Sequence, residues 1–164
     1  MGEVLPDPKY HSRGHLFPVG FTSERMYASV LNPMEKVVHT SEVVQGDDGP
    51  IFRVTHEGGE PVWEGPSSSN VWQAVLNDVN KTKLQRGMPK GGDSISGPEM
   101  FGFANPRIAA VLEGLPGVLE CDEYQFRAKR ANGKPPVRGP AGDGARRSSG
   151  RAKGAAGTPK AAKA

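Results

Sequence analysis

The chain has 164 residues, 35% of them hydrophobic and 24% charged, with a formal net charge of +3 and one cysteine, Cys121. That composition fits one ordinary globular domain plus an appendage. It excludes an internal disulfide framework, and no apolar run nears the roughly 20 residues that cross a bilayer, so a soluble intracellular protein is expected. The charge is unevenly divided: residues 1–126 hold 10 Lys/Arg against 17 Asp/Glu, net −7, while residues 127–164 hold 11 against 1, net +10.

Residues 1–14, with Pro6, Pro8 and Gly14, read as a loose N-terminal lead-in. The opening residues are neither basic nor apolar enough for a secretory signal. His11 and His15 stand four apart, but Ser12-Arg13-Gly14 opposes a helix and no third ligand lies nearby, so ordinary loop histidines are the better reading. Through residues 16–33, Arg25, Tyr27 and Ser29 alternate with Met26, Ala28 and Val30. Period two favours a pleated strand, although Met26, Tyr27, Val30 and Leu31 also permit a helix.

Asn32-Pro33 is a turn, because a proline pushes the residue before it out of helical angles. Val37, His39, Ser41 and Val43 alternate with Val38, Thr40, Glu42 and Val44 in a second strand rich in β-branched residues. The sequence Gln45-Gly46-Asp47-Asp48-Gly49 closes a hairpin, and Ile51, Phe52, Val54 and Thr55 form the returning strand beside it. Residues 57–66 read as a glycine- and proline-punctuated loop, with Trp63 either docked on the sheet or exposed for a partner.

Four polar residues, Ser67 to Asn70, offer helix caps, and Asn70 with Gln73 has the spacing of a capping box. Val71, Trp72, Val75, Leu76 and Val79 then form one apolar stripe, which makes Trp72 a core anchor. Residues 86–97 are rich in Gly, Pro and Ser and predict a mobile insert. Asn105-Pro106 starts a short helix that buries Ile108, Val111 and Leu112 and ends in a left-handed Gly114. Leu115-Pro116-Gly117 is a turn, and a last helical turn follows within residues 118–124. Cys121 sits among Glu120, Asp122 and Glu123, which oppose a thiolate and mark a structural thiol. From Ala128 onward the composition cannot bury enough apolar surface to offset ordering, and a disordered basic tail over 128–164 is expected.

Several pieces of this order together resemble the FY-rich module, in which an N-terminal half (FYRN) and a C-terminal half (FYRC) recur in chromatin proteins. The first is Phe17-Pro18-Val19-Gly20-Phe21, followed by Arg25 and Tyr27. Phe52, Trp72, Phe101-Gly102-Phe103 with Pro106, Leu115-Pro116-Gly117 and Tyr124 supply the second. The resemblance covers about residues 16–127. It implies an α+β fold with one antiparallel sheet shared by both halves and helices packed on it, the FYRN half at about 15–46 and the FYRC half at about 47–127. Trithorax-type methyltransferases, plant JmjC-type demethylases and TGF-beta-regulator proteins carry such modules. The short turn between the halves is similar to the single-chain arrangement of the last of these. The family usually has a Tyr-x-Cys step where this chain has His39 and Ser41, which weakens any cysteine- or tyrosine-dependent role at this strand.

No phosphate loop, nucleophile elbow or metal cluster is legible, so the expected catalytic, cofactor and metal residues are none. Asp47-Asp48 falls short of a calcium loop and reads as a solvated turn. The resemblance implies a non-catalytic, nuclear protein-interaction module with partners in chromatin or histone-modifying complexes. It also leaves room for a detached fragment of a larger methyltransferase or demethylase. The other reading is a general nucleic-acid binder whose affinity lies in the tail. Its basic groups, Arg127, Lys129 and Arg130, then Arg146, Arg147, Arg151 and Lys153, suit nuclear import and weak phosphate contact.

Overall fold

The hairpin at the centre of the chain sets the frame. In the computed structural model, which describes residues 1–127, β2 (Lys36–Gly46) turns at Asp47-Asp48 into β3 (Gly49–His56), and Val43 lies directly opposite Phe52. An earlier strand, β1 (Thr22–Ala28), pairs antiparallel with β2, and β4 (Val62–Gly65) pairs antiparallel with β3. The result is one four-stranded antiparallel sheet in the order β1-β2-β3-β4. With its helices it makes an α+β fold. The first two strands come from the N-terminal half and the last two from the C-terminal half, so neither half owns a complete sheet.

Alternation sends His39, Ser41 and Val43 of β2 and Phe52, Val54 and His56 of β3 to one buried face. The 18-residue helix α1 (Ser68–Gln85) lies there and buries Val71, Trp72, Val75, Leu76 and Val79. The opposite face is half-exposed and polar at its centre. Register aligns Glu42, Arg53 and Glu64 across three strands, and Arg53 bridges Glu42 at 3.6 Å and Glu64 at 2.7 Å. A row of ion pairs on that face keeps it compatible with water.

The structure departs from the sequence reading in several places, each with a physical reason. Residues 1–14 are not loose: Val4, Tyr10 and His11 are buried, and backbone bridges join Glu3 to Val19 and His11 to Leu16. The supposed loop at 57–66 contains β4, whose edge position lets a four-residue strand form between breakers, and Trp63 is docked with its indole N–H donating to Asp78 Oδ2 at 2.8 Å. The N-cap of α1 is Ser67 rather than Asn70, because its hydroxyl accepts the Asn70 N–H at 3.1 Å. Residues 86–97 are tied to α1. Asn80 accepts from the Gly91 N–H at 2.9 Å and donates to the Gly92 carbonyl at 3.0 Å, while Gln73 donates to the Asp93 carbonyl at 3.0 Å.

A short helix that periodicity did not reveal, α2 (Gly97–Phe101), follows this loop, and α3 (Pro106–Glu113) starts with Asn105 as its cap. Helix α3 buries Ala109 and Leu112, with Ile108 half-buried and Val111 exposed. Gly114 has right-handed angles and the left-handed position falls on Gly117, at the start of a 3-10 turn over Val118–Glu120. That turn brings Gly117 against Val4 and closes the C-terminal segment over the N-terminus.

Candidate functional site

Most residues of the F/Y motif lie in the interior. Phe17 packs edge-on against Phe52 at 5.2 Å and Phe103 at 5.3 Å, Phe21 lies 5.0 Å from Phe103, and Phe101 stacks on Phe103 at 5.3 Å. Tyr27 meets the face of Trp72 edge-on at 5.5 Å, and the Trp72 indole N–H donates to Ser41 Oγ at 3.2 Å. Burial pushes the Tyr27 hydroxyl above its ordinary pKa. Gly20 and Gly102 take left-handed angles at the entrance to β1 and the end of α2, and Pro106 opens α3. Leu115 is half-buried, Pro116 is exposed, and the Tyr124 hydroxyl donates to Glu113 Oε1 at 2.7 Å. These aromatics form a structural seam, and Phe17 and Phe52 also line a cavity of about 400 Å³ with Lys9 and Pro66.

His39 and His56 lie within this interior, ring centres 5.3 Å apart, and His39 with Ser41 is where the sequence departs from the family pattern. Ser29 Oγ bonds His56 Nε2 at 2.8 Å, while His39 Nδ1 faces the Val37 carbonyl at 3.3 Å and its Nε2 has no partner. Burial, with His56 beside it, holds the His39 pKa below the usual imidazole value, against weaker opposing pulls from the Val37 carbonyl and Glu57. Cys121 is buried, and burial first, then Glu120 and Asp122, raises its thiol pKa, the electrostatics of a packed thiol. Among the described residues no three His, Cys, Asp or Glu converge as metal ligands. The cavity at the hairpin tip, about 460 Å³, is lined by exposed Asp47 and Asp48, Glu64 and turn backbone.

A second kind of surface lies along β1. Helices α2 and α3 rise beside this edge strand and leave two adjoining cavities. One, about 320 Å³, is predominantly apolar and is lined by Phe21, Ser23, Arg107, Ile108, Val111 and Leu112 among others. The other, about 380 Å³, is of mixed character and is lined by Arg25, Glu99, Met100, Ala104 and Asn105. Arg25 donates to the Glu99 carbonyl at 2.5 Å, so this motif residue bridges strand and helix instead of facing free solvent alone. Arg127, grouped with the tail in the sequence reading, belongs to the body: its N–H donates to Glu113 Oε1 at 2.8 Å and its guanidinium to the Ala104 carbonyl at 3.2 Å. Lys129, Arg130, Arg146, Arg147, Arg151 and Lys153 lie outside the described residues.

Comparison with known families matches residues 1–46 to the F/Y-rich N-terminus family and residues 49–129 to the F/Y rich C-terminus family. The chain belongs to the FY-rich family. Among relatives of this FY-rich chain, the histone-lysine N-methyltransferase TRX1 of Oryza sativa is 31% identical over 145 residues, which is 80% of this chain and 14% of the relative. The histone-lysine N-methyltransferase trr of Drosophila melanogaster is 28% identical over 79% of this chain and 6% of its own length. The human transforming growth factor beta regulator 1 is 30% identical over 77% of this chain and 30% of its own length. This FY-rich chain therefore spans less than a third of the relatives it matches. No described helix is long and apolar enough to cross a membrane.

The sequence reading did not find the groove along β1. Arg107, Ile108 and Val111 carry no motif that relates them to Ser23 and Arg25, more than 80 positions earlier in the chain.

Proposed function

We propose that this protein is a non-catalytic, nuclear interaction module of a chromatin-associated assembly that modifies histones or regulates transcription. One observation carries the reading: the part shared with the histone methyltransferases and with the TGF-beta regulator is the FY-rich segment, not the bulk of either kind of protein. A segment shared by proteins that otherwise differ in length and name serves a role separable from the rest of each, and the histone-methyltransferase relatives support a role at chromatin in this reading. In this proposal the module takes in the packed N-terminal segment and runs to about residue 127, with a tail over 128–164.

The tail has a separate role in it. Lys129, Arg130, Arg146, Arg147, Arg151 and Lys153 are two basic groups that serve nuclear import and weak, sequence-indifferent contact with phosphates. With about six phosphates neutralised, log affinity for duplex DNA falls against log salt with a slope of about −5.

Affinity capture of the full-length chain from nuclear extract, with nuclease present, tests the main reading. Recovery of histone-modifying or transcription-regulating subunits is expected. Loss of all partners on nuclease treatment would leave the nucleic-acid reading, in which the body is a bystander. Replacing Arg146, Arg147, Arg151 and Lys153 by Gln in the full chain separates the two, since it weakens DNA binding and leaves protein capture intact.

A further inference from the structure

β1 is an edge strand, paired on one side with β2. The Val43 N–H donates to the Phe21 carbonyl at 3.0 Å and the Ser29 N–H to the Glu35 carbonyl at 2.9 Å, which fixes the phase of pairing with β2. In an antiparallel ladder the bonded residues recur every second position. Ser23, Arg25 and Tyr27 therefore bond β2, and the N–H and C=O groups of Thr22, Glu24, Met26 and Ala28 face outward from the edge of the sheet.

The helix-facing positions of the same strand, Ser23 and Arg25, each line one of the two adjoining cavities. Two residues of a strand advance about 6.8 Å, so side chains i and i+2 of an added strand reach successive cavities. The first cavity is apolar, and the buried Ser23 Oγ in its wall has no hydrogen-bond partner. The second is lined by Arg25 and by Glu99, whose main-chain carbonyl holds the guanidinium, and Arg107 stands in the wall of the first. Neither Arg25 nor Arg107 makes an ion pair among the described residues, although residues 1–126 carry a net −7. Arg127 is fixed on the Ala104 carbonyl in the wall of that cavity.

We propose that this groove binds an extended segment of a partner protein that carries an apolar residue and, two positions away, a carboxylate. The segment adds to the free edge of β1 as a fifth strand, its apolar side chain entering the cavity at Ile108 and Val111 and its carboxylate reaching Arg25. Backbone pairing supplies affinity and the alternate side chains supply selectivity. Charge rules against the chain's own tail, whose net +10 meets three arginines at the groove. It also rules against a second copy, because two-fold pairing of β1 with β1 sets Arg25 near Arg25 on the same face.

The proposal rests on the interaction-module reading, and its test is separable from that reading. The probe is the capped peptide acetyl-Thr-Glu-Thr-Leu-Thr-Glu-Thr-amide, which presents leucine with a glutamate two residues away in either direction. Titrated into isotope-labelled full-length protein, it is expected to shift the amides of Thr22, Glu24, Met26 and Ala28 and the methyl groups of Ile108 and Val111. Arg25→Glu and Arg107→Glu each weaken binding by about tenfold or more. The Arg107 change places an acid in the first turn of α3, where the helix dipole favours it, so the fold is retained. The same peptide with Lys for Glu, or with alternate backbone nitrogens methylated, binds at least about tenfold more weakly. No response at millimolar peptide, equal binding of the Lys or methylated peptides, or a β1 response to duplex DNA alone would overturn the groove. Capture of chromatin subunits by Arg25→Glu protein at the wild-type level would also remove the groove while leaving the proposed function standing.

Discussion

Replacing Trp72 by Ala removes the largest fully buried side chain of the body. Loss of a buried large aromatic costs about 3–5 kcal/mol through lost transfer energy and the cavity left behind. Two local features push Trp72 toward the upper part of that range. The edge-to-face contact with Tyr27 at 5.5 Å disappears, and Ser41 Oγ, itself in the interior, loses its indole donor. Neighbours cannot collapse into the gap easily, because the indole sits between α1 and the central strand and is in contact with the His39 ring at 5.7 Å. With a urea slope of about 2 kcal/mol/M, a loss of about 4 kcal/mol moves the unfolding midpoint down by about 2 M. Trp72→Phe keeps a ring in place and loses mainly the hydrogen bond, so it is expected to cost about 1–2 kcal/mol. Urea titrations of the three proteins, followed by far-UV circular dichroism, make the comparison. A loss below about 1 kcal/mol for Trp72→Ala would refute the packing argument.

Gly97→Ala forces a methyl group to within 2.2 Å of the Ser68 carbonyl carbon and 2.3 Å of the Ser69 nitrogen, so α1 and α2 must separate. A thermal-melt loss of about 3 kcal/mol or more is expected, against about 1 kcal/mol for Gly58→Ala, which meets nothing within 4 Å and pays only for its left-handed backbone. Lowering the pH destabilises the body through His39. Its folded pKa is depressed, so between the unfolded value near 6.5 and the lower folded value the unfolded chain binds more protons, and stability falls as pH falls through that window. Urea midpoints from pH 7.5 to pH 5 are expected to fall less for His39→Gln than for the wild type, and identical pH profiles would remove His39 as a source. Fragments 1–46 and 47–127 are expected to lack dispersed amide spectra alone and to regain dispersion when mixed, since β2 and β3 pair across the junction. Dispersed spectra from each fragment alone would count against one shared sheet.

What the sequence by itself determined was the local periodic structure and the turns between it. Alternation through residues 37–44, the Gln45-to-Gly49 turn and the α1 stripe depend on side-chain direction over a few residues, and each stands where it was expected. Asn105-Pro106 is legible for the same reason, since capping is decided within one turn of backbone. Tertiary structure decided whatever depends on distant partners. Val4 and Tyr10 look like parts of a loose segment until Leu16, Val19 and Gly117 close over them. β4 exists because β3 offers it an edge, and residues 86–97 hold their course because Asn80 and Gln73 catch their backbone. On α3 the periodicity pointed Ile108, Val111 and Leu112 inward. Tertiary packing buried Ala109 with Leu112 and left Val111 exposed at the groove. The motif aromatics were readable because they fill the core. The candidate binding groove was not, because it joins an edge strand to a helix more than 80 residues later, and no local rule of spacing connects them.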